Sequence, residues 1–281
     1  MLGWLTDSIV NRYIYPGGDM GQTALRYTWV ENKVPCMVYT RPDARRLIVY
    51  VHGNAMTLGS LHESGLPEAI SVTAGADLIT VEYPGYGIAP QCHGDMDDAC
   101  CCNVATVLSY VRRHGATNVV LMGRSLGCAI ALRTMTTNPR LNNVVSHVVL
   151  LSGFSSVRDM CASEWQKKIV RDRLVSKRNI TALAPSIGVS ILHGTKDEVV
   201  PYQHAKVLHA ARQGSVLHPI VDMNHNPNQA EMTHIACLVQ NITNGIHGNL
   251  PRYSRDVQTT QPCQEHDTDN VESRRPRLCP F

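Results

Sequence analysis

The stretch Val119-Val120-Leu121-Met122-Gly123-Arg124-Ser125-Leu126-Gly127-Cys128-Ala129-Ile130-Ala131-Leu132 decides how the chain is read. Its first four residues are the apolar run of a buried strand, its centre is G-x-S-x-G, and from Leu126 to Met135 it is apolar nearly all round, as a buried helix is. Strand, tight turn and helix form the context in which G-x-S-x-G carries chemical meaning. There the serine sits in a strained turn with its hydroxyl raised above the sheet, and a glycine two residues to either side lets neighbouring backbone pass close by. The helix N-terminus beneath the serine favours the negative charge of an oxyanion.

Further apolar runs surround this unit. Leu47–His52, Leu78–Glu82, His147–Leu151 and Val189–Leu192 each run into a glycine-bearing loop, and Val216–Val221 follows. Helical periodicity separates them. Asp95–Arg113 opens on an acidic turn and places Cys100, Val104, Val107, Leu108 and Val111 on one face; Gln203–Arg212 and Glu231–Ile242 read as two further helices. Short apolar strands alternating with helices predict an α/β chain, a mostly parallel central sheet flanked by helices. The 281 residues suffice for one large domain. We assign residues 1–22 to an N-terminal segment, 23–248 to the domain, and 249–281, polar and aperiodic with four prolines, to a disordered tail. The long connection 155–188 is basic, with Lys167, Lys168, Arg171, Arg173, Lys177 and Arg178, and is expected to form a short cap insert.

A serine hydroxyl is a poor nucleophile until a base takes its proton, so the motif demands a histidine and an acid. Asp197, in the loop after strand Val189–Leu192, is the candidate acid, with Glu198 and Asp222 as competitors. Of the seven histidines that follow Asp197, His204, His209 and His234 fall on helices, His218 in a strand, and His247 and His266 in or near the tail. His225 ends a strand and opens the loop Asn224-His225-Asn226-Pro227, which makes it the candidate base. An oxyanion hole needs the amide after the nucleophile, that of Leu126, and a second from an earlier strand's loop, where His52-Gly53-Asn54-Ala55 offers Asn54 or Ala55.

Other functional classes fit poorly. The net charge is +3, with basic residues scattered rather than striped, which argues against a nucleic-acid partner. No stretch approaches the roughly 20 apolar residues of a membrane span. The ten cysteines include no C-x-x-C pair, and the run Cys100-Cys101-Cys102 points three ways round a helix, so free thiols are expected and neither metal nor cofactor is called for. A cytoplasmic chain is the expectation.

The segments His52-Gly53-Asn54-Ala55, Glu82-Tyr83-Pro84-Gly85-Tyr86-Gly87, Gly123-Arg124-Ser125-Leu126-Gly127, His193-Gly194-Thr195-Lys196-Asp197-Glu198-Val199 and Asn224-His225-Asn226 together resemble the alpha/beta hydrolase domain 17 group of the α/β-hydrolase superfamily, over roughly Leu47 to Ile242. The resemblance implies an α/β-hydrolase fold and a serine hydrolase that removes palmitate from protein thioesters, with Ser125, Asp197 and His225 as its triad. It departs from the group in having no cysteine within residues 1–22 and in Asn224, where a glycine is usual. Acylated proteins or small acyl esters and thioesters are then the expected substrates. The basic insert, with Trp165 and Ile169 one helical turn apart, reads first as a solvated lid helix, with peripheral contact to an anionic membrane as the alternative. Related sequences also include serine peptidases of the prolyl oligopeptidase type, so a peptidase or a general carboxylesterase stands as the alternative, and a catalytically silent binding module ranks last.

Overall fold

The computed structural model describes residue 15 and residues 27–246, apart from 93 and 162. The expected tail and most of the N-terminal segment therefore lie outside the described residues. Eight strands, β1 (Thr28–Val30), β2 (Val34–Tyr39), β3 (Leu47–Val51), β4 (Asp77–Val81), β5 (Val119–Arg124), β6 (Val145–Leu151), β7 (Gly188–Gly194) and β8 (Val216–Ile220), form one sheet in the order β1-β2-β4-β3-β5-β6-β7-β8. From β4 to β8 every neighbouring pair is parallel; β1 and β2 add an antiparallel edge.

Parallel strands covered on both faces read as continuous apolar runs, and β3, β4 and β5 are buried along their whole length. One face is covered by α3 (Met96–Arg113), α4 (Leu126–Thr137) and α7 (Gln203–Ala211), whose Val104, Leu108, Ile130, Leu132 and Leu208 pack with Val49, Leu121 and Ile191. The other face lies under α1 (Leu58–Glu63), α2 (Leu66–Ala74) and α8 (Gln229–Thr243), where Leu61, Ile70, Ile235 and Val239 meet Ile48, Val120 and Met122. The mostly parallel sheet with flanking helices is the α/β-hydrolase architecture expected from the sequence. The α3 face buries the five residues that periodicity assigns to it, and Asp95 caps the helix through the Asp98 amide at 3.1 Å.

The connection 155–188 divides in two. Its first part holds α5 (Glu164–Ile169), which has no buried residue; its second holds α6 (Ser176–Ala182), with Leu174, Ile180 and Leu183 in the core. All eight cysteines among the described residues are free. No described helix is long and apolar enough to cross a membrane.

Candidate active site

Ser125 stands directly after the last residue of β5 and caps α4 with φ 51° and ψ −115°, a left-handed backbone that a non-glycine residue holds only under strain. Its amide donates to the Leu151 carbonyl at 2.8 Å. The two motif glycines are demanded by close approach. A Cβ on Gly127 would land on the Val51 carbonyl oxygen and 2.6 Å from that of His52; one on Gly123 would sit 2.5 Å from the Gly127 oxygen. Beneath the turn, the buried Cys128 thiol donates to the Gly123 carbonyl at 3.1 Å; burial pushes its pKa up to about 12, which keeps it a protonated donor.

Asp197 lies in the loop after β7. Its Oδ1 accepts the amides of Val199 at 3.0 Å and Val200 at 2.7 Å, and its Oδ2 lies 2.8 Å from Nδ1 of His225. Burial works to raise the Asp197 pKa, but the bonds from His225 and the Val200 amide prevail and hold it below the ordinary aspartate value. A carboxylate only accepts, so the proton of a neutral His225 sits on Nδ1 and leaves Nε2 as the basic nitrogen. Behind the pair, buried His193 donates from Nε2 to the Val200 carbonyl at 2.7 Å and lies 3.5 Å from Asp197 Oδ2; burial lowers its pKa and keeps it neutral.

The competing residues are engaged elsewhere. Glu198 is exposed, and Asp222 pairs with Lys196 at 2.9 Å on the surface. His204 binds Ser155 Oγ at 2.9 Å, His209 binds Ser215 Oγ at 2.9 Å, His218 lies in β8, and His234 is exposed on α8. His247 and His266 lie outside the described residues.

Arg124, the chain neighbour of Ser125, ties three loops together. Its buried guanidinium donates to the His225 carbonyl at 3.0 Å, to Asn226 Oδ1 at 2.8 Å and to Met56 Sδ at 2.8 Å. The loop after β3 also reaches the turn, since a Cβ on Gly53 would lie 3.5 Å from Ser125 Cβ. That loop is braced from below. His52 Nε2 meets Glu82 Oε1 at 2.9 Å with both side chains buried, Glu82 Oε2 accepts the Leu58 amide at 2.9 Å, and the Tyr83 hydroxyl donates to the His52 carbonyl at 2.7 Å. Of the candidate oxyanion donors, Leu126 opens α4, while the Ala55 amide is held by Asn54 Oδ1 at 2.8 Å and would have to exchange that partner to serve. Sequence reading quoted Arg124, His52, Glu82 and His193 within motifs but gave them no role. Their roles are contacts between segments distant in the chain, and only the word "motif" marks them in one dimension. Among the described residues no cluster of histidine, cysteine or carboxylate side chains is placed to hold a metal.

The model of the alpha/beta hydrolase family matches residues 48–184. The uncharacterized protein YfhR of Salmonella typhi is 31% identical over 191 residues, which are 61% of this chain and 61% of that protein. Alpha/beta hydrolase domain-containing protein 17C of Mus musculus is 24% identical over 190 residues, 64% of this chain and 54% of that protein. The matched part thus spans about three fifths or less of these relatives. Among solved structures, the esterase RhEst1 from Rhodococcus sp. ECU1013 covers 80% of this chain and all of its own, with TM-score 0.59 and 17% identity. The meta-cleavage product hydrolase CumD from Pseudomonas fluorescens covers 79% of this chain and 98% of its own, with TM-score 0.61 and 15% identity; both likenesses establish the fold.

Proposed function

We propose that this chain, which has the α/β-hydrolase fold and matches the alpha/beta hydrolase family over residues 48–184, is a serine hydrolase that cleaves acyl esters and thioesters, its substrates palmitoylated proteins. The observation that carries this reading is the 2.8 Å bond between Asp197 and Nδ1 of His225, which leaves Nε2 as a base for a serine held on a strained turn at the head of a helix. In the proposed sequence of steps, His225 Nε2 takes the Ser125 proton as Oγ attacks the carbonyl carbon. The oxyanion is met by the Leu126 amide and by Asn54 or, after partner exchange, Ala55. His225 then gives its proton to the leaving thiol or alcohol, the acyl group stays on Ser125, and a water activated by His225 releases the acid. Each lost oxyanion donor would cost about 10² to 10³ in rate.

A thioester supports the substrate assignment chemically, since a thiolate leaves more readily than an amine and asks less of the oxyanion hole. The resemblance to the domain 17 group points the same way. The test is labelling of the full chain and its Ser125→Ala variant with a fluorophosphonate, competed by a palmitoyl thioester and separately by an aminoacyl-prolyl peptide. Labelling that needs Ser125 and is blocked by the thioester is expected. Blocking by the peptide alone would make the protein a peptidase, and equal labelling of both proteins would remove Ser125 from the chemistry.

A further inference from the structure

Helix α5 is anomalous for a folded chain. It has six residues, too few for a stable isolated helix, and buries none of them. It is held by its own ends: Ser163 and Gln166 form a reciprocal capping box, and the Val170 carbonyl after it accepts from Arg158 at 3.3 Å. Trp165 is 67% and Ile169 41% exposed, and their i, i+4 spacing puts them on one side. Around them the unpaired charge is of one sign. Lys167 is matched by Glu164 at 2.7 Å and Lys177 by Asp159 at 3.4 Å, whereas among the described residues Lys168, Arg171 and Arg178 are exposed with no acidic partner.

The position of this patch is fixed. Arg173 donates to both oxygens of Asp97, from Nε at 2.9 Å and from a terminal nitrogen at 2.5 Å. Asp97 lies in the first turn of α3, which starts above the carboxyl end of β4, so the segment rises at the carboxyl end of the sheet, where Ser125 sits. Two further exposed apolar residues, Val199 at 57% and Val221 at 74%, lie in the loops after β7 and β8 at that same end. Four of the six large apolar side chains exposed among the described residues thus belong to segments at the carboxyl end of the sheet.

We propose that Ser163–Arg171 is a docking surface for an anionic lipid bilayer, which seats the carboxyl end of the sheet against the membrane. Exposed tryptophan and isoleucine beside unpaired lysine and arginine match an acyl boundary under negatively charged headgroups. A second copy fits less well, because a two-fold contact would set Lys168 and Arg171 against themselves. The segment 247–281 fits less well too, since its five arginines are balanced by five carboxylates. The proposal goes beyond the hydrolase reading and is measured without it.

The experiment is cosedimentation of the full chain with vesicles of phosphatidylcholine alone or mixed with phosphatidylserine. Binding is expected only to the mixed vesicles and should weaken with added salt. Lys168→Ala with Arg171→Ala should weaken it about tenfold or more, and Trp165→Ser with Ile169→Ser should abolish it. Both variants should keep the parent's melting temperature and its activity on a soluble short-chain ester. Absence of binding to mixed vesicles, or binding unchanged in both variants, would overturn the proposal. A dimer that the Trp165→Ser, Ile169→Ser variant dissociates, without vesicle binding by the parent, would assign the patch to a second copy instead.

Discussion

The turn Gly123–Gly127 and the segment Ser163–Arg171 both stand at the carboxyl end of the same sheet, yet they are built on opposite rules. The turn is closely packed: a Cβ at either glycine would overlap backbone, and the side chain beside the serine is tied to two other loops. In the segment no helical residue is buried, and the ion pair Arg173–Asp97 beyond its end is the main bond to the body. Chemistry needs a few atoms fixed to within fractions of an ångström, which only dense packing provides. A surface that meets a fluid partner needs exposed groups instead, and exposure leaves a helix little to stabilise it.

The sharpest way to break this contrast is at Gly127. A methyl group there has nowhere to go, because the Val51 carbonyl oxygen and the His52 carbonyl occupy its space and both belong to the central strand and its loop. Gly127→Ala should cost more than the roughly 1 to 3 kcal/mol of ordinary overpacking. Expression as insoluble protein, or a melting temperature lowered by well over about 10 degrees, is expected. An alanine variant with parental stability would show that the helix can lift off β3 and that the turn is not rigid.

Next in size is the anchor of the exposed segment. Asp97 and Arg173 are almost wholly buried, and the Tyr15 hydroxyl adds a bond to Asp97 at 2.6 Å. Removing the cation leaves a buried carboxylate without its partner, and such losses run to about 3 to 5 kcal/mol. Arg173→Leu should therefore lower the denaturation midpoint strongly, and Arg173→Leu with Asp97→Leu should recover much of the loss. If the single variant is as stable as the parent, the segment is not held by this pair.

How far all this could be read in one dimension follows the same division. Strands β3 to β7 and helices α3, α4, α7 and α8 were legible because burial on both faces forces continuous apolar runs and burial on one face forces a stripe; β8, at the sheet edge and little buried, was read from its short apolar run alone. Ser125, Asp197 and His225 were singled out because each follows a strand, Ser125 directly after β5 and the other two in the loops after β7 and β8. Strands β1 and β2 passed unread: Val34-Pro35-Cys36-Met37-Val38-Tyr39 alternates poorly, and Pro35 counts against a strand inside a sheet, although β2 lies between β1 and β4. Helices α1 and α2 were also passed over, although Pro67 with Glu68 at the start and Gly75 at the end of α2 are sound boundary signals. Asp97 was read as a favourable charge at a helix start; that Arg173, 76 residues on, would bury it is a fact of three dimensions.

The smallest effect concerns the sheet itself and asks whether its packed half stays fixed in acid while the exposed half does not notice. His147 on β6 meets Ser190 Oγ on β7 at 3.0 Å, and burial, helped by nearby His218, depresses its pKa to about 4. The unfolded chain binds a proton at this residue below about pH 6.5, whereas the folded chain resists until about pH 4. Between those values the unfolded state holds more protons, so stability is complete above the window and falls as the pH drops through it. The loss from this residue is at most about 3 kcal/mol. His193, His204 and His218, each lowered by burial, add in the same sense. Urea denaturation of the parent and of His147→Gln at a series of pH values checks this: the variant should show the shallower decline toward acid. Parallel profiles would mean that β6 and β7 open enough for water to reach His147 and that packing at this end of the sheet is looser than at the turn.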